Sequence, residues 1–296
     1  MARVLVTGLT GQIGSFLGER LRAGGHTALD TSGMIDADGV AAELDRCGEL
    51  DAIVHLAGRS SVGESWGSPM ATFDDNARLT AAFAYAAQTR GIVFVNASSA
   101  EIFGNADGER LTETSPIAPV SPYGVAKAAG HTVVRLTRDQ LGARATNLIF
   151  FLGESIRRAE TFVVRKITRG LARVKLGQST HVTLGNTAVI RDFCHADDFA
   201  RAAEMFALGA APGDYVVASG DPHSIDDVAR TCCELLDLDP AAVIKNDQSL
   251  VRRADIARLV GDSSRLRALG WAPSASFREL LAQIVEHDLA QARLAT

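Results

Sequence analysis

Short apolar runs alternate with longer segments in which apolar residues recur at helical spacing. In the first half of the chain the runs lie at residues 3–8, 27–30, 51–58, 92–99 and 145–153. Most of them are apolar at successive positions, which predicts strands that are buried on both faces. Such strands, alternating with helices, are typical of a parallel sheet that is covered by helices on both sides.

The segments between these runs predict the helices that cover the sheet. They lie at residues 11–25, 38–47, 71–90 and 121–141. The pattern therefore predicts an α/β fold of the Rossmann type, a doubly wound parallel sheet.

The regular alternation loosens after Gly153. Further helices are predicted there, and "GDYVVAS" predicts a short strand at residues 213–219. We see no internal repeat and no low-complexity linker. We therefore expect a smaller α/β region that is interleaved with the first, with segments that return to it. The additional predicted helices lie at residues 161–177, 197–208, 224–238 and 275–294.

Length and composition restrict the classes of protein to which the chain can belong. Its 296 residues carry a net charge of −5, which argues against nucleic acid or an anionic membrane as the main partner. No apolar run is long enough to cross a bilayer, and we see no signal peptide, so we expect a cytoplasmic protein. The four cysteines show no CxxC or CxH spacing, which predicts reduced thiols and no metal site.

A glycine-rich turn links the first predicted strand to the first predicted helix. "TGLTGQIG" lets the backbone turn tightly and approach a pyrophosphate at the helix N-terminus. A merely structural turn is the alternative, but its position favours a bound dinucleotide, NAD or NADP. We therefore expect a dinucleotide-binding domain at residues 1–153 and a mainly substrate-binding region at residues 154–296. The candidate cofactor residues of the turn are Gly8, Thr10, Gly11, Gln12, Ile13 and Gly14.

Two later strand ends provide further candidates for the cofactor site. Asp30 ends the second strand, where an acid would bond an adenosine ribose hydroxyl and favour NAD. The alternative is an ordinary turn aspartate before "TSG", and both interpretations stay open. Leu56, Ala57 and Gly58 end the third strand, and we expect them to line the nicotinamide half of the cleft.

Tyr123 and Lys127 are four positions apart and therefore share one face of a predicted helix. The lysine ammonium would favour the phenolate and lower the pKa of Tyr123 from about 10. Tyr123 can then act as a base toward a sugar hydroxyl or as an acid toward a ketone. Lys127 can also hold the cofactor's ribose, and Ser99 can donate to the same oxygen as Tyr123. Such a pair occurs by chance on many helices, but beside the glycine-rich turn a catalytic role is favoured.

Several longer motifs resemble the extended short-chain dehydrogenase/reductase family, and within it most closely the GDP-mannose 4,6-dehydratases. The glycine turn and the YxxxK pair are shared by the whole superfamily, whereas "ESIRR…FVVRKITRG" and "RDFCHADDF" are much more specific. The resemblance runs almost end to end, through "TGLTGQIGSFL", "ASSAEIFG", "SPYGVAKAAG", "ESIRRAETFVVRKITRGLARVKLG", "LGNTAVIRDFCHADDF", "RRADIARLVGD" and "LGWAPSASFREL".

The resemblance implies a role for Glu101, which by itself is equally compatible with a surface turn. The dehydratases have a serine or threonine where Ser99 stands and a glutamate where Glu101 stands. In that chemistry Tyr123 takes the proton of the sugar's 4-hydroxyl while hydride passes from C4 to the cofactor. Glu101 then removes the acidic C5 proton and protonates the leaving 6-hydroxyl, and the hydride returns to C6.

The resemblance also implies a nucleotide-diphosphate sugar, most simply a GDP-hexose, as the substrate. Of the basic residues, Arg191 is the favoured phosphate ligand because an unpaired charge in its apolar stretch would be costly. Arg165 and Arg253 are further candidate cations. The positions that match the family's substrate contacts are Ser60, Ser99, Val163, Lys166, Arg191, Arg252 and Asp255.

Two departures from the family keep the exact reaction open. Leu152 and Gly153 stand where the dehydratases carry Asn-His, and that asparagine helps to hold the sugar diphosphate. The segment after the second strand is short and lacks basic residues used for NADP and tetramer contacts, as in GDP-4-keto-6-deoxymannose reductases. A 4-ketoreductase or a 4-epimerase is therefore the alternative, and a catalytically idle NAD(P)-binding scaffold is the alternative from another class.

The predicted helices at residues 71–90 and 121–141 are rich in alanine and have apolar residues on more than one face. The resemblance implies that they form a four-helix interface in a homodimer or a higher homo-oligomer. A buried position inside one subunit would produce the same composition.

Overall fold

Strands and helices alternate along the first 150 residues, as the sequence predicts. The computed structural model describes residues 1–105, 110–251 and 255–294. Its strands are β1 (Arg3–Thr7), β2 (Thr27–Leu29), β3 (Ala52–His55), β4 (Val93–Ser99), β5 (Ala145–Phe150), β6 (Leu152–Glu154), β7 (Val182–Leu184), β8 (Ile190–His195), β9 (Asp214–Val217), β10 (Pro222–Ser224) and β11 (Ile244–Asn246).

The helices lie between and after these strands, together with a π-helical turn at Asp74–Arg78 and 3₁₀ turns at Ala100–Ile102 and Gln248–Leu250. They are α1 (Gln12–Ala23), α2 (Val40–Cys47), α3 (Val62–Ser65), α4 (Pro69–Phe73), α5 (Leu79–Arg90), α6 (Pro122–Leu141), α7 (Val163–Lys175), α8 (Ala196–Ala207), α9 (Ile225–Leu235), α10 (Pro240–Val243), α11 (Ser264–Arg267) and α12 (Phe277–Leu294).

A six-stranded sheet with the order β2-β1-β3-β4-β5-β9 forms the centre of the fold. Every neighbouring pair of strands in it is parallel, which confirms the predicted Rossmann-type sheet. The direction of winding reverses between β1 and β3. In open α/β sheets ligands bind beside the carboxyl ends of the strands at such a reversal, and the glycine-rich turn follows β1 at this position.

Helices cover both faces of the sheet, so successive strand residues face different cores. Val4 and Val6 belong to a core with α1 and α8, whereas Leu5 faces a second core with α2 and α5. This burial on both faces explains why the strands are apolar at successive positions.

The chain after Gly153 contributes to both regions of the molecule. Strand β9 is the sixth strand of the main sheet, and α8 packs in the core beside α1. The other elements form a separate core of α7, α9, α12 and β7, with the small sheets β10-β8-β6 and β11-β7 beside it. Within the described part of the chain, no helix is both long enough and apolar enough to cross a membrane.

Two predicted elements are interrupted in the structure. The helix predicted at residues 71–90 begins at Pro69 and widens into the π-helical turn Asp74–Arg78, where the buried Asn76 amide bonds the backbone. The strand predicted at residues 145–153 changes sheets after Phe150, because β5 pairs with β4 and β9 whereas β6 pairs with β8.

Candidate active site

The glycine-rich turn has the close backbone contacts that a dinucleotide cradle requires. Gly8 has a φ of +77°, and a Cβ at Gly14 would lie only 2.1 Å from the Gly8 carbonyl oxygen. Helix α1 starts directly after Gly11, so its unpaired N–H groups point toward the turn. These features fit the pyrophosphate of a dinucleotide. Thr10 lies in this turn, whereas Gln12 and Ile13 are the first residues of α1. The Gln12 Nε2 atom donates to the Gly153 carbonyl oxygen at 2.8 Å.

The turn after β3 lies directly against the glycine-rich turn. A Cβ at Gly8 would lie 3.2 Å from the Ala57 nitrogen, and the Thr7 Oγ1 atom accepts hydrogen bonds from the Leu56 and Ala57 N–H groups. The structure thus places Gly8, Leu56, Ala57 and Gly58 together at the reversal of winding. This is the arrangement that the sequence predicts for the cofactor cleft.

A basic residue of α2, which the sequence pattern did not indicate, contacts the chain at the end of β2. The Asp30 Oδ1 atom accepts a hydrogen bond from the Thr31 N–H, as in an ordinary turn. The Arg46 guanidinium donates to the Asp30 carbonyl oxygen at 3.0 Å and is held by the Glu43 carboxylate. The hydrogen bond from Arg46 lowers the pKa of Glu43 to about 2. Arg46 comes 16 positions after Asp30, so its proximity to this strand end depends on the packing of α2 and not on a local sequence pattern.

The catalytic helix α6 is fixed closely against the end of β4. The Ser121 hydroxyl accepts from the Gly124 N–H and begins the helix, with Pro122 in its first turn. A Cβ at Gly124 would lie 2.7 Å from the Glu101 carbonyl oxygen, so only glycine allows this approach. The packing brings Ser99 at the end of β4, Glu101 in the following 3₁₀ turn and Tyr123 together.

Tyr123 and Lys127 are both buried, and burial dominates their ionisation. The Ser99 hydroxyl hydrogen-bonds the phenol and lowers its pKa, but burial and the Glu101 charge raise the pKa of Tyr123 to about 12. We predicted a pKa lowered by Lys127, and for the protein alone this was wrong. The Lys127 Nζ atom lies 6.0 Å from the phenol ring centroid and donates to the Ala97 carbonyl oxygen at 2.9 Å.

Burial also lowers the pKa of Lys127 to about 8. Its ammonium has one fixed partner, the Ala97 carbonyl, among the hydrogen bonds described for it. A positively charged nicotinamide ring would oppose the burial effect at Tyr123 by favouring the phenolate. A cation bound beside Tyr123 would therefore lower the pKa of its phenol.

A pocket at the carboxyl ends of β4 and β5 brings several predicted residues together. Its polar side contains Ser99, Glu101 and Arg191, and its apolar side contains Leu152. The complete lining is Ser99, Ala100, Glu101, Phe150, Phe151, Leu152, Arg191, Asp192 and Leu259. Asp192 stabilises the wall, because its carboxylate accepts hydrogen bonds from Ser219, Gly220 and Gly261.

Arg191 is buried but paired, so its charge does not by itself require a phosphate ligand. Its guanidinium donates to the Ile256 carbonyl oxygen at 2.7 Å and to the Asp255 carboxylate at 3.2 Å. The predicted residues Arg191 and Asp255 therefore contact each other. The expectation that the Arg191 charge needs a ligand to balance it was wrong, because Asp255 already does so.

The other predicted substrate residues lie outside this pocket. Ser60 is exposed after β3, whereas Val163 and Lys166 lie at the start of α7, with Val163 packed on the core and Lys166 exposed. Arg252 and Arg253 lie outside the described residues. Arg165 cannot serve as a surface cation, because it is 4% exposed and pairs with the buried Asp288 at 2.6 Å.

The motif "ESIRR" contains a buried carboxylate and a partly exposed arginine, and the sequence alone indicates no role for either of them. Glu154 is 1% exposed, and burial raises its pKa to about 7. Its carboxylate lies 4.0 Å from the Arg158 guanidinium, which stacks 3.5 Å from the Phe162 ring. The Arg158 charge lowers the pKa of Tyr123, so this arginine belongs to the electrostatic surroundings of the phenol.

Relatives of this chain match it over nearly its whole length. The family model described as GDP-mannose 4,6 dehydratase matches residues 29–284. GDP-mannose 4,6 dehydratase 2 of Arabidopsis thaliana is 31% identical over 98% of this chain and 87% of its own length.

Solved structures also match this fold over nearly the whole length of the chain. RMD from Pseudomonas aeruginosa, complexed with NADPH, has a TM-score of 0.86 and 26% identity, covering 98% of this chain and 100% of that one. The UDP-glucose 4-epimerase of Thermus thermophilus, in complex with NAD, has a TM-score of 0.84 and 27% identity, covering 97% and 98% of the two chains.

The Gly14 contact gives a direct test of the dinucleotide cradle. Gly14→Ala places a methyl group against the Gly8 carbonyl, and we expect it to weaken NADH or NADPH binding by at least about tenfold. Gly63→Ala is the matched control, since a Cβ there meets no described atom within 4 Å. Fluorescence titration measures the two affinities, and circular dichroism confirms folding. Equal affinities of folded Gly14→Ala and wild type would contradict the assignment.

Proposed function

Because the chain belongs to the GDP-mannose 4,6-dehydratase family, we propose that it converts GDP-mannose, or a closely similar GDP-hexose, to the 4-keto-6-deoxy sugar. The observation that carries this proposal is the position of Glu101. Glu101 lines the same pocket as Ser99, and the charge of its carboxylate raises the pKa of the Tyr123 phenol. A simple reduction at C4 needs Ser99, Tyr123 and Lys127, but it gives no role to a second acid in the pocket.

Oxidation at C4 begins with the removal of a proton from the sugar's 4-hydroxyl. Tyr123 is the base for this proton, since Ser99 fixes its hydroxyl and favours the phenolate. Lys127 orients the end of β4, because its Nζ atom donates to the Ala97 carbonyl oxygen. A bound NAD or NADP would supply the hydride chemistry, since its nicotinamide would accept the hydride from C4 and return it to C6.

Elimination then uses the acidity of C5 beside the new ketone. Glu101 takes the C5 proton and gives it to the 6-oxygen, so that the C6–O bond breaks and water leaves. After hydride reaches C6, C5 regains one proton, which balances the proton that Tyr123 took from the 4-hydroxyl. The sum is the loss of one water with no net change in the cofactor.

We propose that the glycine-rich turn, Asp30 and the turn after β3 hold the dinucleotide, and that Ser60, Val163, Lys166, Arg191 and Asp255 hold the nucleotide sugar. The Gly8 and Gly14 contacts support the cofactor part of this proposal. The hydrogen bond between Arg191 and Asp255 supports a shared role for these two residues at the pocket wall. Four buried free cysteines fit a protein of the reducing cytosol.

One observation favours a second candidate, a GDP-4-keto-6-deoxyhexose 4-reductase or a nucleotide-sugar 4-epimerase. Leu152 gives the pocket an apolar wall where the dehydratases have asparagine. An apolar wall is less suited to hydroxyl or phosphate groups than an amide is. A reductase would consume NADH or NADPH in proportion to product, whereas a dehydratase consumes neither.

We also propose that α5 and α6 form a homodimer interface. Three large apolar side chains on these neighbouring helices are exposed to solvent: Tyr85 at 46%, Val125 at 48% and Leu136 at 47%. Val125 and Leu136 lie on one stripe along α6, because the positions of this stripe follow at helical spacing. They are residues 125, 129, 132 and 136. The same stripe on a second copy would cover it.

Glu101→Gln tests the elimination step. The amide cannot accept the C5 proton, so we expect turnover of GDP-mannose to fall by at least about 100-fold. Reduced nicotinamide should accumulate on the enzyme, because oxidation at C4 still proceeds. Glu286→Gln, at an exposed position on α12, is the control and should keep full turnover. Unchanged turnover in Glu101→Gln would exclude the elimination role.

Leu136→Glu tests the dimer. A charge in the centre of the stripe should be expelled from the interface, so analytical ultracentrifugation should show a monomer at concentrations where the wild type is a dimer. Leu208→Glu is the matched control, because Leu208 is also exposed, at 42%, but follows α8. A wild type that sediments as a monomer, or a Leu136→Glu variant that stays dimeric, would contradict this interface.

A further inference from the structure

The connection between β6 and α7, residues 155–162, carries a cation toward the site on a backbone made of turns. In one of these turns the Arg158 N–H donates to the Ser155 carbonyl oxygen at 3.1 Å. The Arg158 guanidinium lies 4.0 Å from the buried Glu154 carboxylate and stacks 3.5 Å from the Phe162 ring. Connections of this kind are in general more mobile than helices and strands. The place of this guanidinium therefore depends on what holds the connection.

The side chain of Arg165, in α7, holds this connection by its backbone. Its Nη1 atom donates to the Ile156 carbonyl oxygen and, at 2.9 Å, to the Arg158 carbonyl oxygen. The other two nitrogens, Nε and Nη2, donate to the two carboxylate oxygens of Asp288 at 3.1 and 2.6 Å. One planar group thus joins the connection to helix α12.

Asp288 gives Arg165 a fixed support. Its carboxylate is buried and also accepts a hydrogen bond from the Thr168 hydroxyl at 2.6 Å. Moving two charges out of water costs about as much as their attraction returns, so stability alone does not explain a buried ion pair. A bidentate pair does fix the direction of the guanidinium, because both N–H···O bonds must lie in its plane. The pair therefore aims the Nη1 atom of Arg165 at the connection.

Four polar side chains surround the Tyr123 phenol electrostatically. Burial and the Glu101 charge raise the pKa of this phenol, whereas the hydrogen bond of Ser99 and the Arg158 charge lower it. The Lys127 Nζ atom lies 6.0 Å from the centre of the ring. Ser99, Glu101 and Lys127 are held by the packing of α6 on β4, but Arg158 comes from the connection after β6. Its position is set separately from that of the other three.

We propose that Arg165 is a positioning residue that places the Arg158 guanidinium relative to the Tyr123 phenol, with Asp288 as its support. Arg165 acts through the backbone of the connection and contacts neither Tyr123 nor the described residues that line the pocket. The inference rests on the proposed function, in which Tyr123 is the base, and extends the control of its proton to α7 and α12.

Arg165→Lys tests this role. An ammonium can still meet Asp288, but it lacks the planar fork that reaches the carboxylate and both carbonyls together. With Arg158 displaced, the phenolate loses a favourable charge. We therefore expect the rising limb of the kcat–pH profile with GDP-mannose to move to higher pH by at least about half a pH unit. The KM for GDP-mannose should change less than about twofold, because Arg165 holds no substrate group.

Arg201→Lys is the matched control. Arg201 also joins a buried carboxylate, that of Asp198, to a backbone carbonyl, that of Ala272, but it lies on α8. This variant should lower the melting temperature and leave the pH profile unchanged. A lowered melting temperature with an unchanged profile in Arg165→Lys as well would show a merely structural role and contradict the proposal.

A double-mutant cycle shows whether Arg165 acts through Arg158. Arg158→Gln removes the charge itself and should move the profile in the same direction. Adding Arg165→Lys to Arg158→Gln should move it no further, because the charge to be positioned is gone. Two shifts that simply add would contradict the proposal.

Asp288→Asn provides the test if Arg165→Lys does not fold. It keeps an oxygen for Arg165 but removes the charge and one acceptor, so the guanidinium is held less firmly. We expect a shift of the pH profile in the same direction and faster hydrogen exchange at residues 156–158. Wild-type exchange and a wild-type profile in folded Asp288→Asn would overturn the positioning role.

The outcomes separate this proposal from the proposed function. If the wild type converts GDP-mannose and the folded variants of Arg165 and Asp288 keep its pH profile, the positioning role is wrong and the proposed function stands. If the wild type does not convert GDP-mannose, both proposals fail.

Discussion

The close packing of helix α6 on the carboxyl end of strand β4 is the constraint on which the site depends. Gly124 faces the Glu101 carbonyl oxygen with no room for a Cβ, and Lys127 donates to the Ala97 carbonyl oxygen. These two contacts, one turn apart on the helix, fix the distance and the rotation of α6. As a result, a side chain on the helix and two side chains on the strand end, Tyr123, Ser99 and Glu101, meet in one place.

The same packing determines the chemistry by removing water from the site. Burial is the largest cause of two pKa shifts: the pKa of Tyr123 is raised to about 12 and that of Lys127 is lowered to about 8, which disfavours the charged form of each group. Ser99 and Arg158 act in the opposite direction on Tyr123, and Glu101 adds to the burial effect. A phenol in these surroundings gives up its proton most readily when a cation is bound beside it, which couples proton removal to an oxidised cofactor.

Most of the fold and the centre of the site could be predicted from the sequence because they depend on local patterns. Apolar strands, glycines between a strand and a helix, and a tyrosine and lysine on one helix face are all short-range features. Contacts between distant parts of the chain could not be predicted in this way. Arg165 is a candidate cation for the substrate phosphates in the sequence, but in the structure it pairs with Asp288, 123 positions later. The raised pKa of Tyr123 depends on burial, which the spacing to Lys127 does not reveal.

The fate of the hydrogen at C4 is the most direct test of the central claim, that this pocket oxidises C4 and then reduces C6 of the same sugar. GDP-mannose with deuterium at C4 is incubated with the enzyme and catalytic NADP or NAD, and the product is examined by NMR. The account predicts a 4-keto-6-deoxy sugar with the deuterium in its C6 methyl group. Deuterium that stays at C4, or a product that keeps its 6-hydroxyl, would contradict it.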